Sequence, residues 1–124
     1  MILAFLVTLG ILPPSLAAPL RVHQLVATNF DVPERDRWNP RGALACRPGQ
    51  QLDRTTPVVA HRTLPCGSQV LLYAPRTGRA VVATVADRGP YGRNRTGIDL
   101  SAATTRALRA NGWERVLVVE LVGK

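Results

Sequence analysis

Two runs of small and β-branched residues, QVLLYA (69–74) and RAVVATV (79–85), flank the turn Pro75-Arg76-Thr77-Gly78. Such spacing predicts a β-hairpin, with Gly78 where the turn needs positive φ. The second run stops at Asp87-Arg88-Gly89-Pro90. Pro90 has no N–H for a ladder, so the strand cannot continue there. The same punctuation recurs along the chain. VVAH (58–61) reads as a short strand, LPCGS (64–68) as a bend, and RVLVVELV (115–122) as a final strand. RVHQLVATNF (21–30) makes an earlier strand with an imperfect period of two. One helix is expected, with Ser101 as N-cap, 102–110 as its body and Asn111-Gly112 as its stop. Leu100, Thr104 and Leu108 share one stripe of it. Short strands with one short helix predict a mainly β fold, a small barrel. Aromatic residues are only 5% of the 124, so its core must rest on Val, Leu and Ala.

Net charge is +8, and all but one of the 16 basic residues are Arg. This favours an anionic partner. The arginines are scattered, without a run or a basic helix face, so nucleic acid is not the expected partner. Residues 1–17 carry no charged side chain; their apolar run ends at Pro13-Pro14, and the small-x-small pattern Ser15-Leu16-Ala17 follows. They read as an export signal, with an uncleaved anchor as the alternative. No membrane span is expected after cleavage. Residues 18–41 read as a strand and a polar loop, and 42–124 as the barrel domain. Trp38 in that loop either anchors it or offers a flat face to a sugar.

Export bears on the two cysteines, Cys46 and Cys66, which lie 20 residues apart. An oxidising compartment favours a disulfide between them. Free thiols are the alternative. A zinc site from Cys46, Cys66, His23 and His61 lacks the close ligand spacing that such sites use. No metal and no organic cofactor are expected.

Three acids lie between Gly42 and Ser101: Asp53, Asp87 and Asp99. Asp87 ends a strand before a rigid turn, a sound platform for a general acid. It can equally cap that turn or pair with an arginine. His61 ends a short strand and is one of two histidines, structural or catalytic. Asp99 stands just before the helix cap, where a carboxylate meets backbone N–H groups. Asn94-Arg95-Thr96 matches a glycosylation sequon.

The segments AHRTLPCGSQVLL, VVATVADRGPYG and IDLS resemble the double-psi β-barrel domain of rare lipoprotein A, the RlpA-like family. The likeness runs from about Gly42 to Leu121. It implies a six-stranded double-psi β-barrel with an open groove, secretion or a periplasmic place in the bacterial envelope, and peptidoglycan glycan strands as partner. It also implies a monomer. Some members are lytic transglycosylases. The resemblance places the family's groove histidine on His61 and its aspartate on Asp87, the catalytic pair. The family's glutamate position falls on Gln50, 11 residues before His61. Gln cannot ionise or relay a proton, so the likeness leaves a non-catalytic, expansin-like glycan-binding module as the alternative. Gln50, Arg88, Tyr91 and Asp99 are the expected substrate-binding residues. Arg88 would meet sugar or peptide carboxylates, and Tyr91 would stack on a sugar or pack at the rim. Cys66 stands where the family often has Phe, which supports its pairing with Cys46.

Overall fold

The computed structural model describes residues 20–30 and 42–121. The expected signal segment, loop residues 31–41 with Trp38, and the last three residues lie outside the described residues. Six strands follow in order: β1 (Arg21–Asn29), β2 (Val58–Ala60), β3 (Gln69–Ala74), β4 (Arg79–Asp87), β5 (Ile98–Leu100) and β6 (Glu114–Glu120). One helix, α1 (Ala102–Leu108), sits between β5 and β6. The strands close a barrel in the order β1-β5-β2-β4-β3-β6. The pairs β1/β5 and β2/β4 are parallel, and the other four are antiparallel. This is the mainly β, six-stranded double-psi barrel that the sequence pattern and the resemblance predict.

Two boundaries differ from expectation. The barrel begins before Gly42, because β1 is itself a stave between β5 and β6. Its full-length ladder to β6, Arg21↔Glu120 through Ala27↔Glu114, requires the N-terminal segment for closure. The helix ends at Leu108, earlier than Asn111-Gly112. Arg109 adopts φ 52°, and the N–H groups of Arg109 and Ala110 turn back to the carbonyls of Arg106 and Thr105. Those reversed bonds satisfy the end of the helix and stop it.

Strand alternation builds the core. Val70, Leu72 and Ala74 of β3, Ala83 and Val85 of β4, and Val116 and Val118 of β6 all point inward and are buried. Ile98, Leu100 and Leu108 fill the remaining space. A smaller cluster, Leu44, Leu52, Val58 and Ala86, packs with Phe30 beside it. Ser101 caps α1 by accepting from the Thr104 N–H, and its Oγ also accepts from the Val58 N–H at 3.1 Å. The cap thereby ties the helix to β2.

Gly97 is required by close approach. A Cβ there would stand 2.2 Å from the Val26 carbonyl oxygen and 2.4 Å from Asn94 Oδ1. Asn94 itself is only 7% exposed, and its Nδ2 donates to the Val26 carbonyl and to Thr28 Oγ1. An amide engaged and buried in this way offers no glycan attachment point, so the sequon has a structural role.

Cys46 and Cys66 form a disulfide with Cα atoms 5.3 Å apart. It fastens the 42–52 segment to the bend after β2. The Cys46 N–H also donates to the Ala86 carbonyl on β4 at 3.0 Å.

Two outcomes follow for stability. Replacing both cysteines by Ser is expected to cost about 3 kcal/mol, the chain-entropy value for a loop of this length. Thermal unfolding followed by circular dichroism should show a midpoint lower by on the order of 10 °C. An unchanged midpoint contradicts a constraining role for the bridge. Ser101→Ala strands the buried Val58 N–H without its acceptor and is expected to cost about 1–3 kcal/mol, read as a lower urea midpoint.

Candidate functional site

Three neighbouring strands set the site. Ala60 on β2 stands opposite Asp87 on β4 and opposite Asp99 on β5. Adjacent strands lie about 4.8 Å apart, which puts the two aspartate backbones roughly 10 Å apart with Ala60 between them. The β2/β4 register shifts between Val59 and Ala60, an irregularity of the kind that re-aims a side chain at a barrel rim. A cavity of about 450 Å³ opens over these three residues. Ala43, Leu44, Ala45 and Phe30 form one wall, and the Arg88–Tyr91 turn forms the other.

Asp87 is half-buried at this cavity. Its Oδ1 accepts from the Ala45 N–H at 2.8 Å, the donor it has among the described residues. One carboxylate oxygen is thus fixed by backbone, and the carboxylate is oriented for the cavity. Asp99 also lines the cavity and accepts from Thr28 Oγ1 at 2.9 Å. The N-cap of α1 is Ser101, two residues on.

Arg88 does not pair with Asp87. Its Nη1 donates to the carbonyls of His61 and Leu64, and its Nη2 approaches Cys66 Sγ at 3.1 Å. The guanidinium braces the bend that follows β2, and its stem lines the cavity. That engagement leaves little of the fork for the bidentate substrate contact expected of it. Gly89 has φ 122°, and a Cβ there would lie 3.6 Å from the Tyr91 ring. The positive φ turns the chain so that Tyr91 comes to the cavity rim, 67% exposed. The Arg62 guanidinium lies 5.6 Å from its ring centroid.

His61 adjoins Asp87 through the backbone, its N–H donating to the Asp87 carbonyl at 3.1 Å. Its ring lies outside the cavity lining. Nδ1 accepts from the N–H groups of Thr63 and Leu64 at 3.1 and 3.0 Å. A nitrogen that accepts two such bonds carries no proton, so the neutral ring holds its proton on Nε2. Burial, foremost, pushes the imidazole below its usual range. The charges of His23 and Arg88 push the same way, and Glu120 opposes them. Glu120 itself meets His23 Nε2 at 2.5 Å. Gln50 is exposed, on the turn closed by its N–H to the Arg47 carbonyl, and also lies outside the cavity lining.

The structure therefore brings Asp87, Asp99, Arg88 and Tyr91 to one cavity and leaves His61 and Gln50 beside it. Asp53 is a turn former. The N–H groups of Thr55 and Thr56 hold its carboxyl at about 2, so it stays ionised and offers no proton. Among the described residues no group of His, Cys, Asp or Glu is arranged to hold a metal ion. Sequence reasoning missed Phe30, the 43–45 wall and Ala60. A backbone N–H such as that of Ala45 leaves no mark in side-chain pattern, and Ala60 is legible only once strand register is known.

No protein-family model matches the sequence. The chain is 42% identical over 60 residues to the probable endolytic peptidoglycan transglycosylase RlpA of Synechocystis, a stretch covering 48% of this chain and 18% of that protein. It is 34% identical over 74 residues to the endolytic peptidoglycan transglycosylase RlpA of Escherichia coli K12, covering 60% of this chain and 20% of the relative. The matches thus span about a fifth of the length of these curated relatives. Among solved structures, the Streptomyces papain inhibitor superposes with a TM-score of 0.58 at 22% identity, over 83% of this chain and 98% of that one. At that identity the likeness speaks for the fold alone. In sequence the chain is thus similar to RlpA proteins over about half of its length, and its fold is a six-stranded double-psi β-barrel.

Proposed function

We propose that this chain is exported to the bacterial envelope and acts on peptidoglycan as an endolytic transglycosylase. The observation that carries the reading is the register of Asp87 and Asp99 across Ala60, which sets two carboxylates at one cavity with Ala60 between them. The chemistry fits a glycosidic bond laid along that cavity. Asp87, positioned by the Ala45 N–H, delivers a proton to the glycosidic oxygen as the bond from the muramoyl C1 breaks. The muramoyl C6 hydroxyl oxygen then bonds to C1, and its proton returns to the Asp87 carboxylate. Acid and base are one group, water is not consumed, and the product is a 1,6-anhydro end. Asp99 accepts hydrogen bonds from sugar hydroxyls. Tyr91 offers its exposed ring to a sugar at the rim. His61, neutral and donating through Nε2, supports the adjoining strand end and contacts the glycan beside the cavity.

One observation favours a second reading. The resemblance puts Gln50 where the family has an acid, and Gln50 sits exposed on a turn, so a proton relay through that position is closed. Under that reading the cavity binds glycan without cutting it.

Digestion of peptide-free sacculi separates the two. Wild-type protein is expected to release 1,6-anhydro-muramic products, and Asp87→Asn to release at least about 100-fold fewer. Equal yields from the two proteins contradict the acid–base role. No anhydro ends from wild type, with retention on sacculi intact, supports the binding module. The depressed His61 pKa also has a stability consequence. Because the folded state resists protonation more than the unfolded chain, stability is full above the ordinary histidine range near pH 6.5. It falls as pH drops from there toward the lowered folded value. The thermal midpoint should decline from pH 7 to pH 5, and His61→Gln should flatten that decline.

A further inference from the structure

Only six aromatic residues occur in the chain: two Phe, two Tyr and two Trp. Two of them, Tyr91 at 67% and Trp113 at 60%, are the most exposed aromatic side chains among the described residues. Scattered exposed apolar residues need no explanation by themselves. These two are not scattered. Arg62 lies over the Tyr91 ring, and the Arg93 guanidinium lies 5.9 Å from the Trp113 ring centroid. Arg93 follows Tyr91 by two residues, on the one-turn 3-10 segment Gly92–Asn94. That segment is pinned at its end by Asn94, whose amide reaches into the barrel to Val26 and Thr28. Two cation–ring pairs, Arg62 with Tyr91 at the cavity rim and Arg93 with Trp113, are therefore carried two residues apart on one short segment of backbone.

We propose that Trp113 and Arg93 form a distal subsite that extends the cavity outward, with Tyr91 and Arg62 as the step between. The occupant is a glycan strand that bears carboxylates. Flat rings suit the apolar faces of pyranose sugars, and guanidinium forks suit carboxylates. The chain's excess of positive charge favours the same ligand. Exposed cation–ring pairs hold weakly, so each guanidinium is free to swing onto a ligand carboxylate while the ring takes the sugar. The inference rests on the peptidoglycan-directed reading above and adds to it a second contact region outside the reacting centre.

The test is binding, not cleavage, with peptide-free glycan strands as the probe. A Trp38→Phe background leaves Trp113 as the one indole, so its fluorescence reports stacking directly. The account expects saturable change in that emission on addition of glycan strands. It expects Trp113→Ala to bind roughly tenfold more weakly with an unchanged thermal midpoint. Arg93→Glu should weaken binding to glycan strands more than to neutral chitin oligosaccharides. Wild-type affinity in Trp113→Ala overturns the distal subsite while leaving the cavity reading standing. Equal affinity for polyglutamate overturns it too, because the patch would then read charge without sugar. Wild-type protein that ignores glycan strands altogether overturns the peptidoglycan reading as well.

Discussion

Val58, Val59 and Ala60 form a strand of three residues that is hydrogen-bonded on both sides, in parallel to β4 and antiparallel to β5. All three are buried. The Val58 backbone is held again from α1, by Ser101 Oγ at its N–H and Thr104 Oγ1 at its carbonyl. Register matters more here than anywhere else in the molecule. A slip of one residue would turn every side chain of the strand to the other face. Ala60 would then no longer lie between Asp87 and Asp99, and the floor of the cavity would be lost. The buried hydroxyls of Ser101 and Thr104, which hold Val58, thus help to set Ala60 at the other end of β2 between the carboxylates of β4 and β5.

The second constraint runs through the disulfide. Cys46 is tied to Cys66 and to the Ala86 carbonyl, and its neighbour Ala45 supplies the N–H that holds Asp87. Arg88 braces the other end of that bridge at the His61–Cys66 bend. An arginine beside the central carboxylate is accordingly turned away from it and used as scaffold. Among the described residues the carboxylate is left to a neutral backbone donor, which orients it without a cation bound to it. The adjacent side chains thus have separate partners, Asp87 the Ala45 N–H and Arg88 the bend after β2.

Much of the fold was legible because strand alternation and turn residues are local. The hairpin at 75–78, the final strand and the Ser101 cap all follow from a few neighbouring residues. β5 was hidden, since three residues of Ile98-Asp99-Leu100 carry no period to read. The place of β1 in the barrel was hidden too, because its pairing partners are β5 and β6, far along the chain. For the site, Asp87 and Tyr91 were marked by the rigid turn around Pro90. Ala45 and Ala60 were not, since one acts through backbone and the other through small size. His61 was marked by residue type, yet its ring is claimed by the N–H groups of its own loop.

The most direct test is an amide chemical-shift titration of the folded protein with peptide-free glycan strands. The account predicts that the largest shifts fall on Ala45, Ala60, Asp87 and Asp99, because the Ala45 N–H reports on the Asp87 carboxylate and the other three line the floor. Shifts centred instead on the exposed β3–β4 face around Tyr73 and Val82, with those four amides unmoved, would contradict it.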